Sequence, residues 1–510
     1  MNDRGPREGG GDRLAPCLVT GTTRVDDSAV ALLDVIRALA FVGDLAMGQP
    51  TDHSPRAAWI AGRLAGELGA DRAGVARASA VSLLRWSGCT ANAPEFSHLF
   101  GDDVGGRKAL LANQSSGSGF RAGTRGKSSA FLSLSRIHCE VSGDIAAQLG
   151  LDEETQFACR HLFESHDGSG APEGLRGNEI PAAVYTASLA GDLDIFSRLY
   201  GLEQACRLIE SRADGLYPKA MATVAIAHAA QWLAALDDES ALSGADSIDA
   251  AFAGRTTSLE ILAHVIDLKL PWMTGHSRRT AELARNAAVR LGLDGAGQQR
   301  LYRAALIHGM GRAAVPNMIW DTPGRLAQWA WERVRLAPYW TGRAAKRIGS
   351  LADEAAIASY AYERADGSGY FRESRRSDIP LEARILAAAT ALAALRSARP
   401  WREAYSDAAA GDLLLSDAAA GRYDVDVVHA LLEKRRPTAS TSLAPATGLL
   451  TEREREILRW VSLGASNKVV AQKLSISPST VRTHIESVFR KLGCSTRAAA
   501  TLKAAQLGLL

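Results

Sequence analysis

The chain has 510 residues, 46% of them hydrophobic and 23% charged, with a formal net charge of +3. That length predicts about three domains of roughly 150 residues each. Six scattered cysteines, Cys17, Cys89, Cys139, Cys159, Cys206 and Cys494, exclude a disulfide scaffold, and without a signal-peptide pattern they point to a cytoplasmic, reducing setting.

Residues 1–27 are rich in Gly, Arg and Asp without a packable pattern, so a disordered tail is expected. The apolar run Ala29 to Met47 contains Asp34, Arg37 and Asp44. It predicts an amphipathic helix and no membrane span. Ala57 to Leu68 and Thr280 to Leu291 place apolar residues three and four apart, the spacing of a helix face. No run alternates as a strand would, and the expected class is all-α.

The first 450 residues contain a duplication. His53-Ser54 recurs 223 positions on as His276-Ser277. Leu83-Leu84 followed by Gly88 recurs at that offset as Leu306-Ile307 followed by Gly311. Glu164 and Asp167-Gly168-Ser169-Gly170 recur 199 positions on as Glu363 and Asp366-Gly367-Ser368-Gly369, as does Ile180-Pro181 in Ile379-Pro380. The offset drops by 24, so the first copy carries an insertion of that size. The Gly/Ser-rich stretch Asn113 to Ser129 is its expected place, as a flexible loop. Two helical domains follow, at 28–235 and 250–435, with the polar stretch Asp237 to Asp246 between them. Glu433 to Gly448 is a Pro/Ser/Thr-rich linker, centred on 436–449, before a last domain at 450–510.

That last domain reads as four short helices. Thr451 with Glu454 forms a capping box ahead of Ile457, Leu458 and Val461. Gly464 stops the first helix, and Ser466 caps a second with Val469, Val470 and Leu474 inward. Ser477-Pro478 opens a third, with the stripe Val481, Ile485, Val488, Phe489 and Leu492. Gly493 ends it and Ser495 starts the fourth. A short helix, a tight turn and a longer helix form a DNA-reading unit. Ser479, Thr480, Arg482, Thr483 and Glu486 lie on the polar face where base edges are reached. Lys468, Arg490 and Lys491 suit phosphates. Residues 451–510 hold ten Lys and Arg against four Glu, hence +6, so the preceding residues carry −3. Basic charge sits in the segment that needs it.

Residues 450–510 closely resemble the LuxR-type helix-turn-helix family, through LTEREREIL, GASNKVVAQKLSISPSTVRTHIESVFRKLG and STRAAA. The resemblance implies that Lys468, Thr480, Arg482, Thr483 and Glu486 face DNA, and that the last helix, Thr496 to Gln506, makes a dimer contact. Val469 and Glu486 depart from residues common in the family. An acid at Glu486 repels phosphate but can accept from cytosine N4.

The duplicated region resembles the HD-GYP branch of the HD phosphohydrolase superfamily. His-Ser-x-Arg, the Leu-Leu-x-x-x-Gly turn and Asp-Gly-Ser-Gly with Ile-Pro carry the likeness, best over Tyr362 to Ala404, and Gly421 to Leu432 resembles the domain's end. In that family two or three metal ions activate a water that cleaves a phosphodiester, typically of cyclic di-GMP. The resemblance places the ligand positions of the second copy at His276, His308, Gly309, Ala337, Ala361-Tyr362 and Thr390. In the first copy they fall at His53, Arg85-Trp86, His138, Leu162-Phe163 and Gly191, with Asp192 next to the last. Every bridging carboxylate is missing from its place, so no catalytic residue, metal or cofactor is expected.

The surviving histidines read as structural. A metal or haem held by His138, Cys139, Cys159, His161 and His166 is conceivable but lacks tight ligand spacing. The residues that replace the cage suggest instead an apolar small-molecule pocket, built from His53, Arg85, Trp86, His138, Leu162 and Phe163 in one copy and His276, His308 and Tyr362 in the other. The expected function is a DNA-binding regulator that reads a pseudo-palindromic duplex as a homodimer, with the repeats sensing an effector, dimerising, or both. The alternatives are a cyclic-dinucleotide phosphodiesterase with a DNA-binding tail, and a dimerisation scaffold without ligand.

Overall fold

The computed structural model describes residues 27–112, 128–238, 246–344, 348–432 and 448–510. The expected tail up to residue 26, most of the insertion Asn113 to Ser129, most of the stretch 237–246 and the linker 433–447 lie outside the described residues. The remainder is helical. Among the described residues the sheet is one antiparallel pair, β1 (Ala29–Ala31) with β2 (Thr256–Ser258), in which Ala29 faces Ser258.

The first repeat uses α1 (Leu32–Ala46), α2 (His53–Glu67), α3 (Arg72–Leu84), α4 (Asp103–Ala112), α5 (Ser128–Gln148) and α6 (Ala182–Tyr200) to build its site. The second uses α7 (Glu260–Leu268), α8 (His276–Arg290), α9 (Gly295–Ile307), α10 (Ala337–Ala344) and α11 (Leu381–Leu395). The C-terminal domain is α12 (Glu452–Ser462), α13 (Asn467–Leu474), α14 (Pro478–Leu492) and α15 (Arg497–Gln506). Helices α2 and α8, and α3 and α9, start and end at matching positions, 223 apart. Their caps match as well. The Asp71 side chain accepts from Gly74 N and Asp294 from Gly297 N, both at 2.8 Å, which satisfies orphan donors at each helix start.

The turn after the third helix needs glycine in both copies. A Cβ on Gly88 would fall 2.3 Å from the His138 carbonyl oxygen, and one on Gly311 1.8 Å from that of Ala337. The repeated Leu-Leu-x-x-x-Gly pattern is thus a close backbone crossing.

Helix α1 corrects an expectation. Every residue but Arg37 is buried, so it is a core helix and not an amphipathic surface one. It packs on α3 and on the turn Met310–Ala314 of the other repeat. Its charges are absorbed by partners. Ser54 donates to Asp44 from N (3.0 Å) and Oγ (2.6 Å), Arg37 donates to Asp249 at 2.8 Å, and Asp34 accepts from Ser350. The second repeat reproduces the first of these: Ser277 donates to Asp267 from N (2.9 Å) and Oγ (2.7 Å).

The two repeats share one continuous hydrophobic core. They are also locked by a buried ion pair, Lys269 Nζ to Asp103 at 2.6 Å, with Asn317 N donating to the same carboxylate at 2.7 Å. Removing Asp103 would strand the buried Lys269 charge, which costs about 3–5 kcal/mol, whereas Asp103 also has Arg107 at 3.6 Å.

Candidate nucleic-acid interface and the remodelled repeat sites

In the second repeat His276 and His308 are both buried, with ring centroids 5.6 Å apart. His308 Nδ1 lies 2.6 Å from the Ala305 carbonyl, which only accepts, so Nδ1 donates. That leaves Nε2 to accept from Arg312 Nη2 at 2.7 Å. Arg312 Nε donates to the Tyr362 hydroxyl at 2.9 Å, and Nη1 stands 3.8 Å from Asp267. Burial, with Arg312 beside it, pushes His308 down to about 3, and the same causes hold His276 well below its usual range. Both imidazoles are neutral near pH 7. The space expected to be a pocket among His276, His308 and Tyr362 therefore holds a guanidinium. Arg312 belongs to none of the motifs in the sequence. Its one signal is that it stands 223 positions beyond Cys89, a cation where the first copy has a thiol.

The first repeat is filled differently. His53 Nδ1 lies 2.8 Å from Asp194, which also accepts from Arg56 (2.7 Å) and Arg198 (3.1 Å). Burial disfavours the charge on Asp194, but the His53 hydrogen bond and the cations around it hold its carboxyl at about 2. Burial likewise opposes the His53 charge, and Asp194 reverses this and raises its pKa. Asp192, the carboxylate beside the expected late position, pairs instead with Arg212 at 2.7 Å. His138 Nε2 donates to the Arg85 carbonyl at 2.8 Å, and burial pushes it down to about 3. Burial pushes the Cys139 and Cys159 thiols up to about 12, so they are protonated and poor ligands. Among the described residues no group of three or more His, Cys, Asp and Glu is placed to hold a metal ion.

A cavity of about 480 Å³ opens here. Arg85, Trp86, Leu162 and Phe163 line it, with Phe131 and Leu132 from α5 and Ser188 and Gly191 from α6. His53 and His138, expected in its lining, stand behind the wall: His53 is tied to Asp194, and the His138 ring packs 4.6 Å from Phe163. Room for Trp86 comes from Gly43, whose added Cβ would lie 2.7 Å from Trp86 Cβ. The second repeat inverts the pair. Ile266 stands at the Gly43 position and Gly309 at the Trp86 position, with the Ile266 side chain 2.9 Å from where a Gly309 Cβ would be.

The C-terminal domain forms around Ile457, Val461, Val470, Val481 and Ile485. The capping box of Thr451 and Glu454 and the caps Ser466 and Ser477 all close with hydrogen bonds. Two details differ from expectation. Thr496, not Ser495, caps the last helix. Val469 faces solvent, 41% exposed, because α13 turns only Val470 and Ala471 fully inward. Lys468, Ser479, Thr480, Arg482, Thr483, Glu486, Arg490 and Lys491 are all exposed. Arg482 Nε donates to Glu486 at 2.9 Å, so the acid is neutralised within the helix. Lys491 bonds Glu454 at 2.6 Å, which draws it from the phosphate role read in the sequence.

The last helix is not open for a dimer contact. Ala499 and Leu502 are fully buried in the core of the repeats, and α15 packs on α5 and α7. Ser495 donates to Glu140 from N (2.5 Å) and Oγ (3.0 Å), and Lys503 Nζ lies 3.4 Å from Asp144. On the other side Thr274 Oγ1 donates to the Ser462 carbonyl at 2.8 Å.

Residues 260–427 match the HD domain family, and residues 448–504 match the bacterial regulatory proteins of the luxR family. The chain joins an HD domain to a LuxR-type DNA-binding domain. It is 26% identical over 411 residues to the 3'3'-cGAMP-specific phosphodiesterase 3 of Vibrio cholerae, covering 74% of this chain and 89% of that protein. It is 43% identical over 67 residues to the probable transcriptional regulatory protein NarL of Mycobacterium tuberculosis, covering 13% of this chain and 31% of that one. The fold is like that of a solved cyclic GMP-AMP specific phosphodiesterase of V. cholerae, with a TM-score of 0.55 and 23% identity, over 79% of this chain and 97% of that one. Among the described residues no helix is long and apolar enough to cross a membrane.

Proposed function

We propose that the chain is a sequence-specific transcriptional regulator whose duplicated HD region senses and assembles but does not hydrolyse. Arg312 carries this reading. A buried guanidinium between His308, Tyr362 and Asp267 puts positive charge where an HD hydrolase gathers cations. A divalent ion there would meet like charge and two neutral imidazoles. The basic, exposed start of α14 supports major-groove reading by Thr480, Arg482 and Thr483, with Lys468 and Arg490 on phosphates. Helix α5 supports sensing: it lends Phe131 and Leu132 to the cavity and Glu140 and Asp144 to the docked α15. Occupancy of the cavity would bias that docking.

The rival reading, a cyclic-dinucleotide phosphodiesterase with a DNA-binding tail, is favoured by the likeness to the cGAMP-specific relative. Purified chain with added manganese or iron is expected to leave 3'3'-cGAMP and cyclic di-GMP intact. Turnover that disappears in His276→Ala with His308→Ala would establish the rival. Footprinting is expected to show protection that weakens steeply with salt and is lost when the chain ends at Ser440. Lys468→Ala weakens binding on every sequence, and Arg482→Ala relaxes choice at one base pair by about 1–3 kcal/mol. Because α15 is covered by its own chain, the dimer contact falls to the repeats. Sedimentation of residues 28–435 as a monomer would remove that role from them.

A further inference from the structure

Two arginines line the cavity of the first repeat; Arg212 pairs with Asp192, whose charge also acts on the other, Arg85. Arg85 makes no ion pair among the described residues; its Nη1 donates to Ser188 Oγ at 2.7 Å and its plane lies 4.9 Å over Trp86. The opposite edge, Nε with Nη2, carries no hydrogen bond among the described residues, and Nε is buried without a partner. Burial lowers the Arg85 pKa, a sign that the charge is poorly solvated there. Across the lining, Glu164 spends Oε1 on the backbone of Glu173 and Gly174 (2.7 and 3.1 Å) while Oε2 has no partner. Ser165 Oγ is likewise unsatisfied. Between these polar ends the walls are Trp86, Phe131, Leu162 and Phe163.

Unmet donors and acceptors in an aromatic cavity specify a ligand. A carboxylate takes the side-on Nε–Nη2 edge of a guanidinium with two parallel hydrogen bonds. An N–H or O–H elsewhere on the ligand serves Glu164 Oε2 and Ser165. A flat apolar body fits the walls, and about 480 Å³ is within the usual range for small-molecule sites. We propose that the first-repeat cavity binds a small aromatic carboxylic acid bearing a hydrogen-bond donor, with Arg85 holding the carboxylate. This rests on the sensory reading above and gives it a ligand class.

The family resemblance puts an aspartate where Gly191 stands, and its absence helps open the space. An added Cβ on Gly191 would meet only His53 Cε1, at 4.0 Å. Gly191→Leu therefore fills the cavity from a helix interior without a backbone clash.

Calorimetry on the full chain tests the proposal with three probes: indole-3-acetate, its neutral amide, and naphthalene-1-acetate, which lacks the N–H. Indole-3-acetate is expected to bind once per chain, the amide at least tenfold more weakly, and naphthalene-1-acetate a few-fold more weakly. Arg85→Met should cost at least tenfold in affinity for the acid. Gly191→Leu, its helicity checked by circular dichroism, should abolish binding. Equal binding of acid and amide, undiminished binding to a folded Gly191→Leu chain, or no binding of any probe would overturn the proposal. Footprinting on the same preparation separates the readings. A footprint without acid binding removes this inference alone, whereas no footprint removes the regulator itself.

Discussion

Asp71 and Asp294 cap equivalent helices in the two repeats, and Asp44 and Asp267 hold equivalent serines, yet the spaces those helices enclose have opposite contents. In the second repeat Arg312 bonds His308 and Tyr362 and fills the centre. In the first, Cys89 occupies the matching position, the cation comes from Arg85, and a cavity remains. Backbone crossings and caps survived because each is a backbone constraint that any side-chain change would strain. The interior diverged because a core needs only filled volume and paired charge.

Arg312→Met is the harshest test of this contrast. It leaves Asp267 buried without its cation and is expected to cost about 3–5 kcal/mol, read by urea unfolding. A cost under about 1 kcal/mol, the level of an exposed pair, would mean that the guanidinium does not hold the second site together.

The shared crossing comes next. Gly311→Ala and Gly88→Ala should each destabilise by about 3 kcal/mol, at the upper end of overpacking. Gly311→Ala should be the worse, since its Cβ would approach to 1.8 Å against 2.3 Å. Tolerance of either would show that the two turns are not equivalent.

The inverted pair gives a smaller effect. Gly43→Ala should cost about 1–3 kcal/mol through its clash with Trp86. Combined with Trp86→Gly, which removes the clashing Cβ, it should cost less than the sum of the two changes, with a coupling of about 0.5–3 kcal/mol. Simple additivity would remove Trp86 as the reason for Gly43.

Both repeats respond to acid, since His138 of the first sits at about 3 as His308 of the second does, and they differ in the alkaline range. His308 sits at about 3 in the fold against 6.5 unfolded, and His276 is lowered too. The unfolded chain therefore takes up protons that the folded chain refuses. Stability is full above pH 6.5 and falls as pH drops toward 3, with a limiting slope of about 1.4 kcal/mol per pH unit for each histidine. His53 is raised, so its contribution is full below 6.5 and is lost as pH rises through its folded value. Asp194, at about 2 against 3.8, contributes above 3.8 and loses this as pH falls toward 2. His308→Gln should flatten the acid limb between pH 6.5 and 5 in urea melts, and His53→Gln should flatten the alkaline one. An unchanged acid limb in His308→Gln would refute the assignment.

The chain itself determined whatever depends on local pattern. The offset of 223 located α8 and α9 to the residue, and that of 199 the start of α11. Thr451, Ser466 and Ser477 marked three helix starts in the C-terminal domain, because capping is a contact between residues three apart. The fourth start was misplaced by one residue because Ser495 and Thr496 are both good caps, and Glu140 takes Ser495. Tertiary structure decided everything that needs distant partners. Asp194 meets His53 across 141 positions, and Ser495 meets Glu140 across 355. No periodicity announces such pairs. The burial of α1 on both faces, the reach of Arg312 into the second site and the covering of α15 by the repeats all depend on which elements pack together. A side chain's neighbours, not its spacing, set whether a histidine pairs, stays neutral or lines a cavity.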